Sequence, residues 1–215
     1  MGEEEHGLKT GELEIMTAGS GIVHTETIDR PTKLRLLQLW LNLPKENRKA
    51  SPRVQKLTRE NVPVSNENGV TTRVYSGSFR GLTSPVKNYT PVIVAELIMQ
   101  ANASLEAELP YDYTTFIYAI EGDSLVGQEE KRLNENEVGW LNRSEISGNS
   151  SVKITAGTTG ARVVLYAAQP QRHEIVSHGP FIADSMDEIR QLYSEYRSGK
   201  LKHITEVSQD KQIVY

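Results

Sequence analysis

Apolar and polar residues alternate along much of the chain with a period of two, which is the spacing of a β-strand that buries one face. Leu13 and Ile15 alternate with two glutamates, and a leucine-rich stretch from Leu34 to Leu43 ends at Pro44. Both stretches are predicted to be strands, with the leucines at 37, 39, 41 and 43 on one face. Residues 45–68 are polar and contain two prolines, so a connecting segment with little regular structure is predicted there.

Short segments rich in β-branched and apolar residues continue through the rest of the chain. They are predicted to be strands, and they lie at 70–75, 91–99, 114–120, 124–126, 137–141, 151–155 and 161–168. Glycine and asparagine fall between them, and residues 121–123 are predicted to turn the chain. Many short strands at close spacing predict a mainly all-β fold, an antiparallel sandwich or barrel.

One helix is predicted near the C-terminus. Ser185 and Glu188 have the spacing of a capping box, in which the serine hydroxyl caps the first turn and the glutamate reaches back. Apolar and aromatic residues follow at positions 186, 189, 192, 193 and 196, and Gly199 marks the end. The pattern predicts an amphipathic helix that packs on the sandwich, whereas the tail after Lys202 shows no clear period.

Composition and charge exclude several classes of site. The chain of 215 residues carries a formal net charge of −4, which offers no basic field to nucleic acid. Because it has no cysteine, it has no disulfide framework, no thiolate metal site and no cysteine nucleophile. The N-terminus lacks the apolar run of a secretory signal, and no apolar stretch has the length of a membrane span. We therefore expect a cytoplasmic protein that contacts neither a membrane nor nucleic acid directly.

Residues 16–26, MTAGSGIVHTE, hold the strongest candidate chemistry. Two glycines precede His24 and Glu26, which are two residues apart. If residues 22–26 are extended, both side chains point to the same face of the strand. A neutral imidazole and a carboxylate are suitable ligands for iron, manganese or zinc. His24 and Glu26 are therefore candidate metal ligands, and no residue is assigned a catalytic or an organic-cofactor-binding role.

Four stretches together resemble the pirin family, which consists of bicupin proteins built from two β-sandwich barrels. The stretches are GELEIMTAGSGIVHTE (11–26), LQLWLNLP (37–44), GVTTRVYSG (69–77) and HGPFIADSMDEI (178–189). The resemblance implies a cupin-type fold with a partial N-terminal barrel at 1–60, a C-terminal barrel at 61–184, and a closing helix and tail at 185–215.

The same resemblance implies an iron site that this sequence fills only in part. Pirins hold one iron with a His-x-His pair on one strand and with the His-x-Glu pair of the signature. His24 and Glu26 match the second pair, while only His6 precedes them, away from the ligand strand. We therefore expect an N-terminal barrel without its first strands, and Fe(II) held by an incomplete site. Alternatively, the gene model starts at the wrong methionine and the protein is longer.

Several hypotheses for the function follow from the resemblance. The first is an iron-binding protein, with quercetin 2,3-dioxygenase-type activity on a flavonol-like substrate if the site is completed. The second is a non-catalytic protein that acts through protein contacts, as a co-regulator of transcription or of a metabolic enzyme. Uncovered N-terminal strands are then predicted to pair with a protein partner or with a second copy of the chain. A third possibility is a family member with no retained activity.

Overall fold

The structure is a computed structural model that describes residues 7–28, 31–143 and 147–215. The described residues form many strands and one α-helix, which confirms the mainly all-β fold expected from the alternation pattern. The strands are β1 (Leu13–Thr17), β2 (Ile22–Val23), β3 (Arg53–Leu57), β4 (Val64–Glu67), β5 (Val70–Ser76), β6 (Ser78–Phe79), β7 (Leu82–Thr83), β8 (Val92–Met99), β9 (Ser104–Pro110), β10 (Thr114–Val126), β11 (Lys131–Leu133), β12 (Val138–Trp140), β13 (Asn149–Ala168), β14 (Val176–His178), β15 (Phe181–Ala183), β16 (Lys202–His203) and β17 (Gln212–Val214). The helix α1 spans Met186–Arg197, and short 3-10 helices lie at Lys45–Asn47, Arg59–Asn61, Ile204–Glu206 and Gln209–Lys211.

By its internal contacts the chain divides into two units, and each unit combines separate parts of the sequence. Of the described residues, unit 1 comprises 7–13, 57–143, 147–170 and 215, and unit 2 comprises 14–28, 31–56 and 171–214. The units are thus interleaved along the chain, and the boundaries expected near residues 60 and 184 stay predictions.

Unit 1 is built on an eight-stranded sheet. Its main path runs β11-β10-β13-β8-β5-β4, with β12 paired to β10 and β9 paired to β13. On β5 and β9 every second residue is buried, as the period-two pattern requires. The inward side chains form one apolar core, in which Leu97, Ile117 and Leu165 are wholly inaccessible to solvent.

The sequence predicted two breaks between strands, and both predictions are wrong. The strands continue through these positions with β-bulges. The predicted turn at 121–123 lies inside β10, and the two strands predicted at 151–155 and 161–168 are parts of the single strand β13. The register between β10 and β13 shifts on both sides of Gly122. Gly122 has a φ of +69°, and a Cβ there would lie 2.2 Å from the carbonyl oxygen of Gly160. Glycine therefore bends a continuous strand at this point and does not end it.

The segment 45–68, predicted to have little regular structure, contains two strands. β3 lies between β1 and β17 in a three-stranded sheet, and β17 joins it in parallel from the other end of the chain. β4 forms an antiparallel hairpin with β5. Local polarity does not reveal these strands, because the partners that make them strands lie outside the segment.

The leucine-rich stretch between Leu34 and Leu43 is not a strand, and that prediction is wrong. Within the described parts of the chain, no strand pairs with residues 31–44, which we call the leucine segment. The side chains of residues 31–40 face solvent, with Leu34 58% and Trp40 57% exposed, and residues 41–44 are half-buried. A strand needs a neighbour to bond its N–H and C=O groups, and alternation within the segment does not supply one.

The predicted helix is confirmed as α1, together with its cap. The Ser185 hydroxyl accepts a hydrogen bond from the N–H of Glu188 at 3.2 Å, and the Glu188 carboxylate accepts one from the N–H of Asp184 at 3.1 Å. Ile189 is buried but Tyr196 is 53% exposed, so the buried face is narrower than predicted. The tail without a clear period contains β16 and β17, which pair in parallel with β2 and β3.

A buried carboxylate lies on the face of the unit 1 sheet opposite the core. Glu96 on β8 is only 3% exposed, and its neighbours along the strand point into the core. Its Oε1 accepts a hydrogen bond from Nε of Arg162 at 2.7 Å. Its Oε2 accepts from Nη1 of Arg73 at 3.2 Å and from the Tyr75 hydroxyl at 3.3 Å. Both carboxylate oxygens are thus satisfied, which offsets the cost of burying the charge.

Replacing Glu96 with glutamine should lower the free energy of unfolding by about 2 kcal/mol, because two guanidinium groups lose their buried counter-charge. Urea unfolding monitored by circular dichroism measures this change. The matched control is Glu129→Gln, which removes a fully exposed ion pair with Lys131 and should leave the midpoint unchanged. Equal midpoints for the wild type and Glu96→Gln would contradict a stabilising network.

The raised pKa of Tyr75 predicts that the folded state loses stability at alkaline pH. Burial, with a further contribution from the Glu96 charge, raises the pKa of Tyr75 from 10.0 to about 12. Because the folded state holds the phenolic proton more tightly than the unfolded chain does, this stabilisation is complete below about pH 10. It is lost as the pH rises toward about 12. Urea midpoints measured across this range should fall less steeply for Tyr75→Phe than for the wild type.

Candidate metal centre

His24 and Glu26 directly follow strand β2 in unit 2. This strand pairs in parallel with β16, and the pairing fixes the backbone up to Val23. The strand ends there, so the extended ribbon expected through Glu26 is shorter than predicted, and both candidate ligands lie in irregular chain.

A glycine turn sets the entry to β2. Gly19 has a φ of +53°, and a Cβ at this position would lie 1.9 Å from the carbonyl oxygen of Ala50. That same carbonyl accepts a hydrogen bond from the N–H of Ser20 at 3.0 Å. Only glycine allows this approach of the two backbones, which positions the chain four to five residues before His24.

The structure brings the two candidate ligands side by side. Nδ1 of His24 lies 4.0 Å from Oε1 of Glu26, and the side chains are 36% and 59% exposed. The same Oε1 accepts a hydrogen bond from the side-chain amide of Gln38 at 3.2 Å. Gln38 belongs to the leucine segment, and sequence reasoning did not single it out. Its place in the QLWLNL motif was the available signal.

His24 and Glu26 carry donor atoms of the kinds that bind divalent metals. Nitrogen and oxygen ligands lie about 2.0–2.2 Å from a zinc-sized ion, so adjacent donors in a tetrahedral or octahedral shell are roughly 2.8–3.6 Å apart. The separation of 4.0 Å between His24 and Glu26 is longer than that, so the two side chains would have to move closer to share one ion. No group of three or more His, Cys, Asp or Glu side chains suited to a metal occurs within residues 7–28, 31–143 and 147–215. His6, the histidine upstream of the pair, lies outside the described residues.

The other histidines of unit 2 have contacts of a structural kind. A guanidinium nitrogen of Arg48 lies against Nε2 of His173. The ring of His178 meets the ring of Tyr193 edge-on, with centroids 5.9 Å apart. His203 caps the 3-10 helix that follows it. Among the described histidines, His24 is the one with a carboxylate of a neighbouring residue at ion-pair distance.

Charged residues also gather at the start of α1. Nη1 of Arg48 lies 2.7 Å from Oδ1 of Asp184, and Lys49 forms an ion pair with Glu188. The hydrogen bond from Lys49, followed by that from the backbone N–H of Asp184, lowers the pKa of Glu188. These contacts anchor the helix N-terminus and need no ligand to explain them.

The strand architecture and the family models that match the sequence together define the class of this protein. It is an all-β protein with a cupin fold. The model of the pirin C-terminal cupin domain matches residues 94–202, and the pirin model matches residues 1–41, which include His24, Glu26 and Gln38. The chain belongs to the pirin family, as the resemblance of its motifs predicted. No α-helix in the described residues is long and apolar enough to cross a membrane.

Curated relatives support the same assignment. Human pirin is 30% identical over 194 residues, a match that covers 90% of this chain and 66% of the relative. Pirin-1 of Arabidopsis thaliana is 30% identical, with 90% and 67% covered. A putative quercetin 2,3-dioxygenase of Pseudomonas aeruginosa is 31% identical, with 90% and 69% covered. The chain thus spans about two thirds of the length of these relatives.

Solved structures agree on the fold. A crystal structure of quercetin 2,3-dioxygenase from Acinetobacter baumannii superposes with a TM-score of 0.75 at 22% identity, covering 90% of this chain and 67% of that chain. A Geobacillus kaustophilus protein gives a TM-score of 0.60 at 31% identity, covering 63% and 54%.

Proposed function

We propose that this chain is a metal-binding, pirin-like protein in which His24 and Glu26 hold a single divalent ion, with Fe(II) as the first candidate. The observation that carries the proposal is the 4.0 Å approach of Nδ1 of His24 to Oε1 of Glu26. The pair lies within the residues matched by the pirin model. The absence of cysteine agrees with a cytoplasmic location, which is part of the proposal.

Each residue of the site has a distinct role in this proposal. Neutral His24 supplies a ring nitrogen and Glu26 supplies a carboxylate oxygen. The Gln38 amide orients that carboxylate through its hydrogen bond of 3.2 Å. A bound Fe(II) would supply a Lewis-acid centre with open positions.

Two protein ligands fall short of the three that facial-triad iron oxygenases use. We therefore propose metal binding for the chain by itself. Oxygenase activity on a flavonol-like substrate, of the kind named in the Pseudomonas and Acinetobacter relatives, is proposed only for a site that further protein ligands complete.

Metal binding is tested with purified metal-free protein titrated with Mn²⁺ and followed by electron paramagnetic resonance, which reports free ion. The wild type should bind one ion, and His24→Ala should weaken binding by about tenfold or more, because one of two protein donors is lost. Glu26→Gln should behave in the same way.

His178→Ala is the matched control, since it removes a histidine of unit 2 whose ring packs against Tyr193, and it should bind Mn²⁺ as the wild type does. Metal uptake that is the same in the wild type and in all three variants would show that His24 and Glu26 are not ligands.

A second candidate function rests on the exposed apolar side chains of the leucine segment. Leu36 is 48% exposed, Leu37 and Leu39 are each 41% exposed, and Trp40 is 57% exposed. Apolar side chains at alternate positions of an unpaired chain are suited to strand pairing with another chain. We propose that the leucine segment pairs with its counterpart in a second copy, or with a protein partner whose regulation is the protein's role. The net charge of −4 favours a protein contact over direct nucleic-acid binding.

Self-association is tested by size-exclusion chromatography with light scattering. The wild type should be a dimer, and Leu39→Asp should shift it to a monomer, because a charge then enters the apolar contact. Ile175→Asp is a closely matched control, since Ile175 is also 41% exposed but lies outside the segment, and it should stay dimeric. A monomeric wild type that binds no hydrophobic dye would exclude pairing through this segment.

A further inference from the structure

Arg80 in unit 1 lies at a turn position whose backbone conformation is preferred by other residue types. Strands β6 and β7 form a hairpin in which Phe79 pairs with Leu82, so the turn consists of Arg80 and Gly81 alone. Both have positive φ, +50° for Arg80 and +79° for Gly81. Positive φ at both turn residues is the type I′ geometry, which favours asparagine, aspartate or glycine at the first position. Arg80 is therefore strained, and its backbone conformation gives no reason for an arginine.

The Arg80 guanidinium is only partly used by the protein. Nη1 donates to the carbonyl oxygen of Glu106 on β9 at 3.1 Å, and Nη2 donates to Oε2 of Glu67 at 3.2 Å. Nε is buried and has no hydrogen-bond partner in the described parts of the chain. The partner carboxylate of Glu67 is 62% exposed, so water or another anion can readily replace it.

The hairpin and β9 border a cavity of about 570 Å³ that is broadly open to solvent, and Arg80 lies among its lining residues. Its apolar lining includes Phe79, Ile93, Ala107 and Leu109, all members of the unit 1 core. Its size falls within the range of small-molecule pockets, which combine apolar walls with a few polar groups. An apolar recess with one arginine beside it suits a ligand that has an apolar body and a single anionic group.

The surrounding charges restrict that ligand further. Glu106 and Glu108 are exposed and alternate with inward Ala107 and Leu109 along β9. Together with Glu67 they give the rim an acidic character, which opposes an ion with several negative charges. A monocarboxylate carries one negative charge, which is the smallest charge that can still pair with the Arg80 guanidinium.

We propose that this cavity, which lies in unit 1 and includes neither His24 nor Glu26, binds a small organic monocarboxylate. The apolar body lies against Phe79 and Leu109, and the carboxylate accepts hydrogen bonds from Nε and Nη2 of Arg80 in place of Glu67. A ligand in this position accounts for the strained arginine and for its unused Nε, as backbone strain at binding sites often does.

The test uses the whole chain labelled with ¹⁵N and titrated with sodium benzoate, and follows backbone amide shifts. In the wild type, saturable shifts should centre on residues 78–81 and 106–109. Arg80→Asn should weaken benzoate binding by about tenfold or more, because a charged donor is lost. Asparagine suits the turn, so the urea midpoint of the variant should equal or exceed that of the wild type.

Two controls separate the ligand site from its alternatives. Arg132→Gln removes a different exposed arginine of unit 1, paired with Asp123, and should leave benzoate affinity unchanged. Inorganic phosphate should produce no saturable shifts at the cavity.

Benzoate shifts that are absent, or that centre on the leucine segment, would overturn the proposal. So would an Arg80→Asn variant that is less stable but binds benzoate as the wild type does, since Arg80 would then only brace the hairpin.

Discussion

The antiparallel pairing of β10 with β13 is the constraint on which unit 1 depends. These two strands are the longest of the described residues, and the pairing extends from Thr114 opposite Ala168 to Val126 opposite Ile154. Strands β8 and β9 pair with β13, and strands β11 and β12 pair with β10. The bulges beside Gly122 let both strands bend without losing their partner, so a single ladder organises the sheet. The core and the Glu96 network lie on opposite faces of this sheet, and both rely on its register.

Unit 2 differs from unit 1, because short parallel strand pairs join segments that lie far apart along the chain. β16 meets β2, and β17 meets β3, so the C-terminal tail supports the segment that carries the candidate metal ligands. Parallel contacts between such distant residues carry a large cost in chain entropy, which the adjacent packing must offset. The position of His24 therefore depends on residues near the end of the chain as well as on its own motif.

Gln38 takes part in both proposed functions. Its side chain holds Glu26 beside His24, and its backbone lies in the leucine segment, which exposes apolar side chains. A contact that orders the leucine segment would also order the carboxylate of Glu26 through Gln38. The proposed metal binding and the proposed protein contact would then be coupled through this side chain. The Arg80 cavity belongs to unit 1 and relies on neither.

Sequence reasoning located most strands of unit 1, because their alternation reflects a buried and an exposed face that any partner would require. It also located the helix and its cap, since the Ser185 hydroxyl accepts from the N–H of Glu188 and the Glu188 carboxylate accepts from the N–H of Asp184, all within a few residues. The motif resemblance placed the chain in its family and drew attention to His24 and Glu26. The sequence did not reveal Gln38 or Arg80 as partners of a site, because their contacts join residues distant along the chain.

By itself the sequence determined the all-β class, the helix and the adjacent imidazole and carboxylate, all of which follow from spacing within a few residues. Tertiary structure alone decided which alternating segments become strands. The leucine segment alternates as clearly as β9, yet among the residues that the structure describes only β9 has a neighbouring strand to bond its backbone. The physical reason is that side-chain alternation is a local property, whereas a β-strand exists only when a second strand satisfies its N–H and C=O groups.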